Sequence, residues 1–182
     1  MFNIFELFLA YFNFVQALGF LAFFVSLYAF SRTSDKQLRI GQAVQSLILA
    51  LHFYLLGAST AAAMSLLTVI RNFLSLHKKI RNVAILFMVI YVAVGIYTYE
   101  EFVDLLPIAS ALLGTTAVFY LSGIKMRLVM MLSTTFWIIH NAVFLSIGPL
   151  LMELFIFGVT VRTIYHIWKS DKQIRNMDSD IV

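Results

Sequence analysis

Apolar residues fill this chain in long blocks, and polar residues collect in short clusters between them. Blocks of about twenty apolar residues match the length of helix needed to cross a hydrocarbon core. The pattern predicts seven helices, over residues 5–30, 38–56, 59–76, 83–99, 105–121, 126–145 and 149–168. A minimal turn at Gly57 separates the second from the third, the basic cluster HKKIR (77–81) precedes the fourth, and the acidic stretch 99–104 precedes the fifth. The polar tail, 170–182, is expected to fray.

Composition turns these helices into spans. The chain is 62% hydrophobic and 12% charged, whereas a soluble domain carries about a quarter charged residues and needs them to coat its surface. An all-α polytopic membrane protein is expected. No Lys or Arg precedes the first apolar block and no small-residue cleavage pattern follows it, so it is expected to stay as a span. The absence of cysteine excludes thiol catalysis, disulfides and thiolate metal sites.

The position of charge matters more than its sum of +4, and nothing calls for a nucleic-acid partner. Seven spans bring all thirteen Lys and Arg to or near one side, with Glu6, Glu100, Glu101 and Asp104 on the other and Glu153 slightly inside the membrane. Cytoplasmic loops are rich in Lys and Arg, which predicts an N-terminus outside and a C-terminus in the cytoplasm.

The chain also repeats itself. RIGQAVQSLILALH (39–52) is echoed 88 residues later by RLVMMLSTTFWIIH (127–140), with Arg and His at the ends of both. Gly57 to Arg71 has the length of Gly148 to Arg162, if three extra residues are allowed between His140 and Gly148. Such self-similarity predicts a duplication. Its two copies are 1–77 and 102–169, joined by a linker helix and flanking loops, 78–101, and followed by a cytoplasmic tail, 170–182. Three helices end on the opposite face from where they begin, so one linker helix makes the copies parallel. Parallel repeats about an axis along the membrane normal are a common transporter plan, with the site at their interface.

Three strings carry a family resemblance: Lys36-Gln-Leu-Arg39 leading to His52, Thr68-Val-Ile-Arg71-Asn72, and Phe136-Trp137-Ile-Ile-His140-Asn141. On them the chain resembles the bacterial inner-membrane YgjV-like family, within the SWEET, PQ-loop and nicotinamide riboside transporter superfamily. That resemblance implies a three-one-three fold, with the second helix of each triad lining the central path. It does not bring an established activity. The Pro-Gln dipeptide that names the PQ-loop branch is absent, so that branch's residue-level mechanism is not carried over.

Ionisable residues inside spans are costly and mark candidate sites. Gln45 and His52 share a helix face, as do Ser133, Trp137 and His140. With Asn141 they would suit a ring-bearing solute through stacking and hydrogen bonds. The competing reading is a pair of packed histidines bonding across helices. Glu153 is expected at the depth of His140, where the two could exchange a proton, or else snorkelling to the outer interface, and Ala62 is taken as its counterpart. Arg71 with Asn72, and Arg162, would form an inner anion gate, or would snorkel to lipid phosphates.

The function expected is small-solute transport by alternating access between the repeats, as a homodimer or higher oligomer, with no cofactor. The alternative is a non-transporting protein that binds a partner or lipid through its basic loops. A lipid enzyme built on His52, His140 and Glu153 ranks below both, because no nucleophile elbow or metal-ligand run is present.

Overall fold

A computed structural model describes residues 14–30, 35–75, 81–121 and 123–179, with side chains over 14–29, 40–74, 82–121 and 123–169. These residues form seven α-helices and no strand: α1 Phe14–Phe30, α2 Asp35–Leu55, α3 Ser59–Ser75, α4 Arg81–Thr98, α5 Leu105–Tyr120, α6 Gly123–Val143 and α7 Ile147–Ser179. A single 3-10 turn, Phe102–Asp104, leads into α5. Each helix lies on a stretch the apolar pattern predicts. Residues 5–13 of the first predicted span and most of the HKKIR loop are outside the described residues.

One boundary differs. The tail expected to fray continues α7 without a break to Ser179. Beyond Gly158 the chain has neither Gly nor Pro up to that point, and Lys, Gln, Arg and Met favour helix, so nothing stops it.

The outside of the bundle is apolar. Phe24, Tyr28, Leu47, Tyr54, Leu86, Ile96 and Leu154 are all exposed. In water so much apolar surface invites association. Against acyl chains it is a solvated surface. Among the described residues, Phe102–Tyr120 and Ile147–Lys169 are long and apolar enough to cross a membrane alone, and four further apolar helices are shorter.

Neighbours define a closed circuit. α1 packs on α2, α2 on α3, α3 on α5, α5 on α6, α6 on α7, and α7 returns to α1. α4 stands outside it, against α3 and α5. One apolar core gathers Ala22, Leu49, Phe53, Ala58, Ala61 and Met152, and another Met64, Phe87, Tyr91 and Ala111. At the α1–α7 crossing the backbones touch: a Cβ on Gly148 would fall on the carbonyl of Gly19.

The two halves correspond at one register. α2 and α6 are both 21 residues long, and their starts differ by 88. The turns that follow repeat the same bonds: Leu56 N to His52 O and Phe144 N to His140 O, Gly57 N to Tyr54 O and Leu145 N to Ala142 O, Ala58 N to Phe53 O and Ser146 N to Asn141 O. Gly57 and Leu145 both take the left-handed backbone, at φ 82° and 50°.

This corrects the expected spacing. The turns match at an offset of 88, which pairs Leu145, not Gly148, with Gly57 and leaves no place for the three extra residues expected. Identity misled because the turn needs a left-handed residue, which Leu145 supplies at a steric cost that glycine avoids. Gly148 is a glycine for another reason, the contact with Gly19. At the corrected register Met64 matches Met152, Ser46 matches Thr134 and Ser65 matches Glu153, and all six are buried. The expected pairs Ala62 with Glu153 and Arg71 with Arg162 dissolve, since Val159 now stands opposite Arg71.

Candidate functional site

The α2–α3 turn, the α4–α5 link and the α6–α7 turn lie together at what we term the turn end. Thr60 Oγ1 donates to the Thr98 carbonyl there at 2.7 Å. Asp104 accepts the backbone N–H groups of Glu100 and Glu101, both at 3.0 Å, fixing the link that starts α5. Gly57, Ser59, Glu100, Glu101, Asp104 and Phe144 line a pocket at this end.

The two matched histidines have different environments. His52 is fully buried, with Nδ1 at 2.7 Å from the Val15 carbonyl and Nε2 at 2.7 Å from Ser146 Oγ. A carbonyl only accepts, so Nδ1 carries the proton and donates it, and Nε2 of the neutral ring accepts from the serine hydroxyl. Gln16 reinforces the junction, donating to the Leu145 carbonyl at 3.0 Å and accepting from Ile147 N–H at 3.3 Å. His52 therefore ties α1, α2 and the α6–α7 turn together. For this residue the packed reading holds.

His140 is equally buried, yet among the described residues neither ring nitrogen nor Asn141 Oδ1 has a partner in good hydrogen-bond geometry, and the Asn141 side chain is the polar group that interacts with the ring. The register supplies the reason. At an offset of 88 the residue matching Ser146 is Ala58, which has no hydroxyl. Where His52 finds Val15, the counterpart is Val103, whose carbonyl belongs to the 3-10 turn and accepts the Leu105 N–H. Aromatic rings enclose the imidazole instead: Phe144 stacks on it at 4.7 Å, with Phe53 at 5.4 Å and Trp137 at 5.5 Å edge-on. Trp137 in turn stacks on Phe53 at 5.4 Å with 14° between planes. Leaving a buried polar group unmet costs about 1–3 kcal/mol, so this imidazole is held in place by its rings at some expense.

α6 presents two adjacent hydroxyls to its two sides. Ser133 pairs with Ser110 of α5, with oxygens 2.7 Å apart. Thr134 interacts with the carboxyl of Glu153 on α7. Glu153 is buried, so it does not snorkel outward, and no hydrogen bond joins it to His140. The expected proton-exchanging pair is thus not formed. Gln45 donates to the thioether of Met152 at 3.1 Å, a weak acceptor.

Arg71 departs furthest from expectation. It is 9% exposed, too buried to reach lipid phosphates. Its Nη1 donates to Thr115 Oγ1 at 3.2 Å and its Nη2 to Asn72 Oδ1 at 3.4 Å, while Nε has no partner. Arg162, by contrast, is exposed on α7. The predicted gate therefore separates into a buried Arg71–Asn72 pair and a peripheral Arg162.

Sequence reasoning missed Gln16, Ser110, Thr115, Thr134 and Ser146. Each is a common polar residue in an apolar helix or turn, and only its partner across the bundle distinguishes it. Ser146 had one available signal: it stands 88 residues after Ala58 at a turn already known to be repeated.

Comparison with known proteins agrees with the membrane character of this bundle. Residues 13–171 match Imp-YgjV, described as bacterial inner membrane protein. The chain is 30% identical over 158 residues to the inner membrane protein YgjV of Escherichia coli (strain K12), covering 87% of this chain and 86% of that one. No solved structure matches. An apolar-surfaced helical bundle and a match over most of its length lead to one conclusion: the chain belongs to the Imp-YgjV family of bacterial inner membrane proteins.

Proposed function

We propose that this protein is a small-solute transporter that works by alternating access between two parallel three-helix repeats, α1–α3 and α5–α7, joined by α4. The observation that carries the reading is the constant 88-residue register of α2 with α6 and of the turns after them. The contact circuit supports it, because exchanging the two triads maps each contact onto another: α3 on α5 becomes α7 on α1. Parallel repeats place a solute path at their interface, where each can rock against the other around a fixed site. Buried polar groups face that interface from both halves. Ser110, Ser133 and Arg71 meet where α3, α5 and α6 adjoin, and His140 and Trp137 lie nearer the turn end.

In this reading the turn end is periplasmic, because Lys125, Arg127, Arg162 and Lys169 lie toward the opposite end of their helices. The N-terminus is then periplasmic and the C-terminus cytoplasmic. No enzymatic step is assigned, and a homo-oligomer is compatible with the apolar exterior.

A thermal-shift screen of the purified protein against sugars, nucleosides, vitamins, amino acids and organic acids tests the proposal, followed by proteoliposome uptake of any stabilising class. A class that both stabilises the protein and enters the vesicles supports it. No stabilisation by any class, together with full activity in cells of a His140→Ala and Glu153→Ala double variant, removes it.

A further inference from the structure

We infer that Arg71 is the anion-binding element of this path, and that the solute carries an oxyanion group, a carboxylate or a phosphate. The inference rests on the transporter reading above and names the chemistry its site selects. A guanidinium keeps its charge in a protein, and burying a charge without a counter-charge is strongly unfavourable. Arg71 is buried and has no ion pair among the described residues. Its described partners are neutral oxygens, Thr115 Oγ1 and Asn72 Oδ1, and its Nε–H is unmet. A purely structural arginine at this place would be expected to hold a carboxylate. The corresponding position of the other repeat, Val159, does without charge.

The surroundings suit a ligand. Gly114 of α5 lies against the guanidinium, and a Cβ there would stand 3.3 Å from Arg71 Nη1 and 3.8 Å from Ser133 Oγ. The missing side chain leaves only a narrow gap between a cation and a hydroxyl, too tight for an added carbon unless a neighbour gives, so a solute would enter it as the triads rock apart. Ser110, bonded to Ser133, extends the polar wall along α5. A planar or tetrahedral oxyanion accepts from a guanidinium through two N–H groups at once, and a serine hydroxyl that gave up its bond within the Ser110–Ser133 pair could donate to a remaining oxygen. Arg71 lies 12 residues into α3, about 18 Å from the turn end at 1.5 Å per residue. Ser133 lies 10 residues into α6 from the other end, about 15 Å. Arg71 is also only four residues, about 6 Å, from the far end of α3 at Ser75, so the gap lies in the half of the bundle away from the turn end.

The chain contains no cysteine, so Ser133→Cys introduces a single thiol beside the gap with little change in volume. The full-length protein is placed in nanodiscs of zwitterionic lipid. It is labelled with a sulfonate-bearing and a trimethylammonium-bearing methanethiosulfonate, each rate normalised to that reagent's rate with a free thiol. The expected result is a preference of about tenfold for the anionic reagent, lost in Ser133→Cys with Arg71→Gln and kept in part with Arg71→Lys. If the Gln variant does not fold, protection replaces it: inorganic phosphate, but not chloride at equal ionic strength, should slow labelling by an uncharged reagent. Equal labelling by both charged reagents overturns the inference and leaves the transporter reading standing. No labelling by either, in folded protein, overturns both. A preference that collapses when phosphatidylglycerol is added to the nanodisc would mean that a lipid headgroup fills the gap, and overturns the assignment to a solute.

Discussion

His52 and Ser146, 94 residues apart in the chain, meet at 2.7 Å where α2 passes the α6–α7 turn. The matching turn, 88 residues earlier, carries Ala58 in place of Ser146. A serine in one turn and an alanine in the other thus accompany a histidine that fastens the bundle and one that makes no well-formed hydrogen bond across it.

Substitution by leucine should expose this difference. In His52→Leu the Val15 carbonyl and the Ser146 hydroxyl lose their partner inside the bundle, which costs about 1–3 kcal/mol for each buried group left unmet. In His140→Leu two unmet nitrogens disappear instead. Unfolding in detergent micelles is expected to show His52→Leu less stable than His140→Leu by more than about 1 kcal/mol. Equal losses would mean that the two sites are energetically alike.

Gly148→Ala is expected to destabilise the protein by roughly 1–3 kcal/mol, because the added methyl meets rigid backbone at Gly19 rather than a side chain that can turn aside. Gly158→Ala on the same helix has nothing within 4 Å of the new atom. It should be neutral or stabilising by up to about 1 kcal/mol, through helix propensity. Thermal denaturation of the pair, compared with the parent, separates contact from propensity.

The turns make a second opposed pair. Leu145 pays for its left-handed backbone, so Leu145→Gly should be neutral or stabilising, within about 1 kcal/mol. Gly57→Ala, at φ 82°, should cost about 1 kcal/mol although open space surrounds it. Both shifts are readable as changes in melting temperature. A large loss in Leu145→Gly would mean that its side chain contributes packing beyond the turn.

Arg71→Met tests whether the buried charge serves stability or activity. Replacing a buried charge that lacks a counter-charge with an apolar side chain of similar length is expected to leave the fold as stable or more stable, by up to a few kcal/mol. Solute uptake should be lost. A marked fall in stability would assign Arg71 a structural role instead.

The helices were legible because a hydrocarbon solvent demands about twenty apolar residues per crossing, and that demand is written in linear order. The 88-residue offset of α2 and α6 was legible too, through Arg39 with Arg127 and His52 with His140. Its continuation was misread at Gly148, since identity cannot distinguish a glycine that relieves φ from one that relieves a helix crossing. Pairing Arg71 with Arg162 failed for the same reason. The two histidines looked equivalent from their own positions, and their difference lies in Ala58 and Ser146 on other segments.

What the sequence determined by itself, then, was the class of solvent and the number of helices, both of which follow from local hydropathy. Only the tertiary structure decided which polar groups are met and which are not. That Arg71 turns inward to Gly114 and Thr115, that Glu153 is buried beside Thr134, and that His140 makes no well-formed hydrogen bond across the bundle are properties of pairs of helices. Hydrogen bonding and burial depend on what stands opposite a residue, and the register between helices sets that.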